Sequence, residues 1–596
     1  MSRAVARSAA FVAALAAARH ANATGLTTAD VERIITQAVV EAEHVRLPVA
    51  IAVVDREGNR LGGFRMQGVC PGPQACDGPE IRGHGRKDGS LEDVTVPAID
   101  RNSELGGIQS LGPFSGAMLA AISKAGTAAF FSTRGNAFST RTAGFIIQQH
   151  FPPGVSNTAS GPLFGVQFSQ LLCSDITGID RGLPLGLSAD PGGLPLYKER
   201  EAVGGVGVEG NGAYTLDFDP SDKDVTREER IAVAATRAFA PPREVQGDRI
   251  FVGGLRLPFR NSGRPPRRKL RSFDSLSGVR EIMPRDSPPS ILRSEHLGGV
   301  QGAVLTDVSR QDRFFPPVDG TAPAPVDGGL VAADVRRILA QAARQADRTR
   351  AAIRRPLGDR ARVNIAVVDG AGNVLGLFRT EDAPIFGIDV SVQKARSVAL
   401  FSSPTAREKL LAEGQARAMR FRTIGLGGLV DDKLTPFVEA GARDGIRLDG
   451  AIAFSDRAIG FLSRPFFPDG IDGTQNGPYS RSIPGFSIFN DGLQLELVRE
   501  VLLETFVKQR VPHDGCTRVP GLANGLQIFP GGVPLFRGRR LVGAIGISGD
   551  GVDQDDIVSA AGSVGFEAPP ELRTDRVMVR DVRLPFLKFP RRGTTR

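Results

Sequence analysis

Tryptophan is absent from this sequence, and no uncharged apolar run reaches the roughly 18 residues that a membrane-spanning helix needs. The four cysteines include no C-x-x-C pair, so the sequence offers no zinc or dithiol motif. Cys173 and Cys516 each stand alone, whereas Cys70 and Cys76 are close enough either to close a small disulfide loop or to remain free thiols. Glycine (72 residues) and proline (41) are abundant, which indicates a loop-rich globular protein without a membrane span.

The excess of positive charge is largely local. The formal net charge is +9, and much of it comes from R-P-P-R-R-K-L-R at 264–271. Arginine and proline without interleaved aromatic residues are typical of a solvated connecting segment rather than of a nucleic-acid reader. We therefore expect no nucleic-acid partner.

The N-terminal residues 1–23 have two interpretations. Arg3 and Arg7 precede an alanine-rich apolar stretch and A-N-A, which is the order of a secretory signal peptide. The alternative is an alanine-rich helical extension. The Cys70 and Cys76 pair favours export, so we expect a periplasmic or secreted protein, with a cytoplasmic location as the alternative.

The most informative feature is a repeat. D-R-E-G-N-R-L-G-G-F-R begins at Asp55, and D-G-A-G-N-V-L-G-L-F-R begins at Asp369. An apolar strand precedes each copy. The aspartates are suited to accept backbone N–H bonds in a turn, and Gly58 and Gly372 are suited to positive φ, so each copy predicts a β-hairpin.

Further motifs follow in the same order in both halves: a helix that carries a lysine, a glycine-rich strand and an alanine-rich helix. This order predicts an α+β fold with antiparallel sheets. We predict a first domain at 24–259, with an insertion at about 67–111, and a second domain at 329–590. Residues 260–328 are interpreted as a Pro/Arg-rich linker. Glycines inside the strands, such as Gly204, predict a close approach of another backbone or a ligand.

The set of motifs resembles the GlcG/HbpS-like haem-binding family, present as two tandem copies. The resemblance rests on G-N-x-L-G-x-F-R, the Lys-Ala helix, the G-G-x-P strand entry and V-G-A-I-G-I-S-G-D-G. It implies two profilin-like domains, each a central antiparallel sheet flanked by helices, which form a pseudo-dimer. It also implies self-association and haem as a cofactor. Two segments depart from the family pattern, R-T-E-D-A-P at 379–384 and E-G-N-G at 209–212.

Haem requires an axial ligand, which the resemblance leads us to seek among histidines and hydroxyls. None of the six histidines is shared by the two halves. The candidates are His44, at the end of the first helix, His150, which aligns with Phe466, and Thr127 on the lysine helix. The alternative for each histidine is a surface or helix-end role.

Six cations are shared between the halves and are candidates to hold haem propionates or another anion. They are Lys124, Arg65 and Arg141 in the first half and Lys394, Arg379 and Arg457 in the second. The alternative is a structural role, for example an ion pair between each lysine and the hairpin aspartate, Asp55 or Asp369.

The expected function is therefore haem binding, with a role in haem or iron handling. An enzyme or accessory protein for a small anionic metabolite is the first alternative, and a non-catalytic assembly module is the second. No catalytic residue is singled out, because no nucleophile–base arrangement and no metal-ligand pair at helical spacing is present.

Overall fold

The computed structural model describes residues 25–69, 93–97, 116–210, 213–217, 223–423, 432–481, 492–507 and 515–588. The possible signal sequence, Cys70, Cys76 and most of the predicted insertion lie outside these residues. Within them, no helix is long and apolar enough to cross a membrane.

The first half contains four helices among its described residues: α1 Thr28–Val45, α2 Gly116–Phe130, α3 Thr140–Ile146 and α4 Arg227–Ala235. Its strands are β1 Ala50–Asp55, β2 Arg60–Met66, β3 Asp93–Pro97, β4 Gly193–Lys198, β5 Glu201–Glu209, β6 Ala213–Asp217, β7 Phe251–Val252, β8 Leu255–Arg256 and β9 Gly278–Ile282.

The described residues of the second half contain seven α-helices. They are α5 Ala332–Ala346, α6 Gly387–Phe401, α7 Ala406–Thr423, α8 Leu434–Arg443, α9 Asp456–Leu462, α10 Leu493–Val507 and α11 Val552–Gly562. The strands are β10 Leu292–Leu297, β11 Val300–Thr306, β12 Asp312–Arg313, β13 Val363–Asp369, β14 Val374–Thr380, β15 Gly532–Arg537, β16 Arg540–Gly549, β17 Met578–Val579 and β18 Val582–Arg583.

The repeated motif forms a hairpin in each half, as predicted. β1 pairs with β2 and β13 with β14, both antiparallel. In the turns, Asp55 Oδ1 accepts the Glu57 and Asn59 amides, and Asp369 Oδ1 accepts the equivalent two amides. Gly58 and Gly372 have φ of 87° and 85°.

The α+β prediction with antiparallel sheets is confirmed. One sheet has the order β4-β5-β1-β2-β9, and the other has β10-β11-β14-β13-β16-β15, with β12 paired to β11. Alternate residues of β1 face opposite sides of the sheet: Ala50 and Ala52 lie in a core with α2, whereas Ile51 and Val53 lie in a core with α1 and α4. Each central sheet is therefore covered by helices on both faces.

Glycine allows the central helix to approach the sheet closely. A Cβ atom on Gly207 of β5 would lie 2.0 Å from the Ala121 carbonyl oxygen, and one on Gly546 of β16 would lie 2.0 Å from that of Ser391. Any larger residue would push the helix away. The glycines inside these strands thus serve backbone packing.

The segment 260–328 differs from its interpretation as a linker. β9 extends the first sheet, and β10 to β12 extend the second. The outer strands β9 and β10 contain charged and partly exposed residues, so they lack the apolar alternation of a half-buried strand. The strand β11 is mostly apolar and buried, but it was included in the Pro/Arg-rich segment. The two sheets divide between Ile282 and Leu292.

Cys173 and Cys516 do not stand alone, because they form a disulfide across a sequence separation of 343 residues. The bond joins the first half to the second. No local spacing signals a pair so far apart along the chain.

The halves also meet at a buried ionic cluster around Arg354. Arg354 Nε lies 2.7 Å from Asp550 Oδ2, and Nη1 lies 2.7 Å from Asp382 Oδ2. From the first half, Arg56 Nη2 lies 2.9 Å from Asp382 Oδ1, and the Arg134 amide donates to Asp382 Oδ2 over 3.0 Å. Burial would raise the pKa of Asp382, but these arginines lower it.

This cluster explains the R-T-E-D-A-P departure. Asp382 occupies the place of Gly68 in the first half, and both have positive φ (57° and 79°). A non-glycine residue is uncommon in that conformation. Asp382 adopts it and thereby places a carboxylate between the arginines of the two halves.

We expect Asp382→Gly to destabilise the protein although glycine suits the backbone there. The loss leaves Arg354 with half of its carboxylate partners, and removing one partner of a buried ion pair costs about 3–5 kcal/mol. Urea denaturation measures the change in the free energy of unfolding. The matched variant Gly68→Asp, whose Cβ has space, should cost only about 1 kcal/mol. Equal costs would contradict a stabilising role for the cluster.

Candidate ligand site between the two halves

The two shared lysines make equivalent contacts. Lys124 of α2 donates to the Val208 carbonyl oxygen over 3.1 Å and lies 3.4 Å from Glu228 Oε2. Lys394 of α6 donates to the Ile547 carbonyl oxygen over 2.7 Å and to Asp555 Oδ2 over 2.9 Å. Each ammonium thus binds the glycine-rich strand and the first turns of the last helix.

The arginines use the next carboxylate along that helix. Arg141 Nε lies 2.6 Å from Glu229 Oε1, and Arg457 Nε lies 2.6 Å from Asp556 Oδ2. The structure therefore brings Lys124 together with Arg141, and Lys394 together with Arg457.

Each arginine and lysine pair thus uses two adjacent carboxylates, Glu228 with Glu229 and Asp555 with Asp556. Glu228 and Glu229 were not singled out from the sequence, and Asp555 and Asp556 stood out only as part of an acidic, solvated helix-entry loop. Because the two acidic pairs align between the halves, they could have been identified from the sequence. Other acidic residues surround each pair and hide this signal. Asp55 and Asp369, proposed from the sequence as lysine partners, bind their own hairpin turns instead.

The two lysine environments differ in charge. Lys124 contacts three buried carboxylates: Asp190, Glu209 at 2.8 Å and Glu228. The same carboxylates form a group with metal-ligand geometry, but the ammonium lies between them. Burial would lower the pKa of Lys124, and the three carboxylates raise it well above its usual value.

In the second half, Phe529 and Ser548 occupy the positions of Asp190 and Glu209. Lys394 Nζ lies 4.5 Å from the centre of the Phe529 ring. An aromatic ring and a hydroxyl thus replace two carboxylates around the second lysine.

Two aspartates near Lys394 have perturbed pKa values. Burial raises the pKa of Asp555 to about 7, against the opposing effects of Lys394 and the Gly549 backbone. Asp456 is fully buried at the position of Thr140, and neither of its carboxylate oxygens is hydrogen-bonded to a described residue. Burial raises its pKa well above the usual value.

This centre borders a cavity of about 370 Å³ formed by both halves. The first half contributes Phe131, Phe138, Ile146, Pro162, Leu163, Phe251, Val252, Gly253 and Leu257. The second half contributes 350–353, Phe386, Phe529, Ser548, Gly549 and 551–555. A largely apolar wall with a few polar groups at one end is the usual composition of a small-molecule site.

Arg65 and Arg379 lie away from the cavity wall. Arg65 forms an ion pair with Glu281 of β9. Arg379 is buried, and it donates to Asn364 Oδ1 over 3.3 Å and to the Ala383 carbonyl oxygen. Burial, and then Arg56, lower the pKa of Arg379 to about 9. The six predicted cations therefore do not form one anion site.

None of the three candidate haem ligands lines the cavity. His44 is exposed in the last turn of α1. His150 is buried, with Nδ1 2.9 Å from the Thr158 carbonyl oxygen and Nε2 3.4 Å from Asp472 Oδ1. Thr127 Oγ1 donates to the Ser123 carbonyl oxygen and accepts the Ser188 amide.

The described cavity wall also contains no histidine, cysteine, methionine or tyrosine. Because axial ligation of haem iron usually uses one of these side chains, the residues at the cavity do not fit an axially ligated haem.

The family match lies in the second half of the chain. A family model described as "Haem degrading protein HbpS-like" matches residues 330–437 and 505–563. A crystal structure of a PduOC:haem complex is 15% identical, covers 36% of this chain and 95% of its own, and has a TM-score of 0.20. The crystal structure of Klebsiella pneumoniae protein ORFY is 16% identical, covers 36% of this chain and 90% of its own, and has a TM-score of 0.20. No curated protein matches the sequence.

Matched substitutions of the two lysines should separate their roles. Lys124→Met leaves three buried carboxylates without their cation, and we expect a loss of about 3–5 kcal/mol. Lys394→Met should cost less, because Asp555 takes up a proton readily. Its cost should fall further as the pH drops from 8 to 6, since a carboxyl whose folded pKa is raised favours the folded state at low pH.

Urea denaturation at pH 8 and pH 6 measures both costs. A Lys394→Met cost that equals that of Lys124→Met, or that is independent of pH, would contradict the different environments of the two lysines.

Proposed function

We propose that the chain is a fused pseudo-dimer of two GlcG/HbpS-like copies that binds a small, largely apolar molecule in the cavity between its halves. This proposal rests on the cavity, whose walls come from both halves. A volume of about 370 Å³ falls within the range of small-molecule sites, roughly 300–1,000 Å³.

Contacts between aligned segments support the pseudo-dimer. His150 and Phe466, which align in sequence, stack with ring centres 5.6 Å apart. The Asn157 amide donates to Asp472 Oδ2 and the Asp472 amide donates to Asn157 Oδ1, both over 3.1 Å. In a two-fold dimer a residue near the axis meets its own counterpart, as His150 meets Phe466, and neighbouring residues of the same loop contact each other across the axis.

The interhalf disulfide supports a periplasmic or secreted location as part of this proposal. Structural disulfides persist mainly in oxidising compartments. Cys173 and Cys516 supply one such bond.

A neutral fluorescent probe, N-phenyl-1-naphthylamine, tests the cavity. We expect one-to-one binding with increased fluorescence. Val252→Trp fills space in the cavity wall and should weaken binding at least tenfold.

The matched control is Val279→Trp, on an exposed residue of β9 that does not line the cavity. It should bind the probe as the unmodified protein does. Absence of saturable binding, or equal binding by both variants, would overturn the cavity as the ligand site.

Haem is the second candidate, favoured by the description of the matched family. Titration with hemin should then give a saturable one-to-one shift of the Soret band. If His150 gives up its contact with Asp472 and ligates the iron, His150→Ala should abolish that shift. His44→Ala tests whether the exposed histidine is the ligand instead. Absence of a saturable shift would reject haem without affecting the cavity proposal.

A further inference from the structure

We infer that the ligand of the cavity has an apolar body that packs against aromatic rings, and a neutral group that donates hydrogen bonds. Ser548 and Asp555 accept those hydrogen bonds. This inference rests on the proposed function of the cavity and specifies the chemistry of its ligand. The shared cations suggested an organic acid as the ligand. The inferred ligand is instead an alcohol, a phenol or an amide that donates a hydrogen bond.

Ser548 provides the first observation. It lies on the cavity wall, it is fully buried, and its Oγ has no hydrogen-bond partner among the described residues. Leaving a buried hydroxyl unsatisfied costs about 1–3 kcal/mol, so a ligand group at this position recovers that cost. The counterpart in the first half, Glu209, is bound by Lys124 and serves a different purpose.

Asp555 provides the second observation. It also lines the cavity, and Lys394 holds its Oδ2. The Oδ1 atom has no partner in hydrogen-bonding geometry among the described residues. The Oδ1 atom can accept a hydrogen bond from a ligand donor, whereas a ligand carboxylate has no proton to donate to it.

The other charged groups near the cavity do not change the preference for a neutral hydrogen-bond donor over an anion. Asp553 lies 2.8 Å from both Arg457 and Lys588, which balance its charge. Arg350 lines the cavity but is exposed to solvent, where its attraction for an anion is screened. The cations Lys394 and Arg457 are each already paired with carboxylates.

The apolar part of the wall accounts for the body of the ligand. Five phenylalanine rings border the cavity: Phe131, Phe138, Phe251, Phe386 and Phe529. Aromatic rings pack favourably in offset or edge-to-face arrangements, which suits a planar hydrocarbon skeleton. Phe529 also contacts Lys394, so the aromatic wall and the polar end adjoin.

Three naphthalene derivatives test the polar end with one constant body. Naphthalene, 2-naphthol and 2-naphthoate are titrated by displacement of N-phenyl-1-naphthylamine at pH 7.5, where a phenol is neutral and a carboxylic acid is ionised. We expect 2-naphthol to bind at least tenfold more tightly than 2-naphthoate, and more tightly than naphthalene. Ser548→Ala and Asp555→Asn should each reduce that preference severalfold.

The control is Asp556→Asn, which removes the adjacent carboxylate on the same helix but does not change the cavity wall. It should keep the preference for 2-naphthol. If Asp555→Asn does not fold, the three ligands and Ser548→Ala still decide the outcome.

Equal binding of the three ligands, or tightest binding of 2-naphthoate, would overturn the donor inference while the cavity remains a binding site. If neither the probe nor any naphthalene binds, the proposed function fails and the inference fails with it.

Discussion

The structure depends on burying a lysine ammonium beneath the central helix of each half. A buried charge is tolerated only when it is paired and hydrogen-bonded. Lys124 and Lys394 meet this requirement through the glycine-rich strand and the first turns of the last helix, segments that lie far from them along the chain. Because the ammonium must reach both partners, it sets where the central helix, that strand and the last helix lie relative to one another.

The same constraint leaves room for the halves to diverge. Around Lys124, three carboxylates enclose the cation and fully compensate it. Around Lys394, Phe529 and Ser548 replace two of them, and a single carboxylate remains in direct contact. The retained carboxylate satisfies the lysine, while the replaced positions become free to line a cavity. In the proposed pseudo-dimer, the first half therefore keeps a structural centre around its lysine, whereas the second half has similar chemistry beside the proposed ligand cavity.

Local features were predictable from the sequence, whereas distant pairings were not. The hairpins follow from Asp55, Gly58 and their counterparts, because turn chemistry is decided within a few residues. One of the three ion-pair partners of Lys124, Glu228, lies 104 residues away along the chain, and nothing in spacing alone identifies it. The outer strands β9 and β10 were not predicted because their exposed polar residues interrupt any periodic apolar signal. The cavity was unpredictable for a related reason: neither half forms its walls alone.

The Cys173–Cys516 bond has a topological consequence. It converts the 343-residue span between the two cysteines into a covalent ring. A single protease cut anywhere inside that ring opens it but releases no fragment, because both new ends remain attached through the sulfur bridge. The connection between the two sheets, from Ile282 to Leu292, lies inside the ring. In its oxidised form, a nicked molecule therefore keeps its two halves at a high effective concentration and retains the surfaces that face each other.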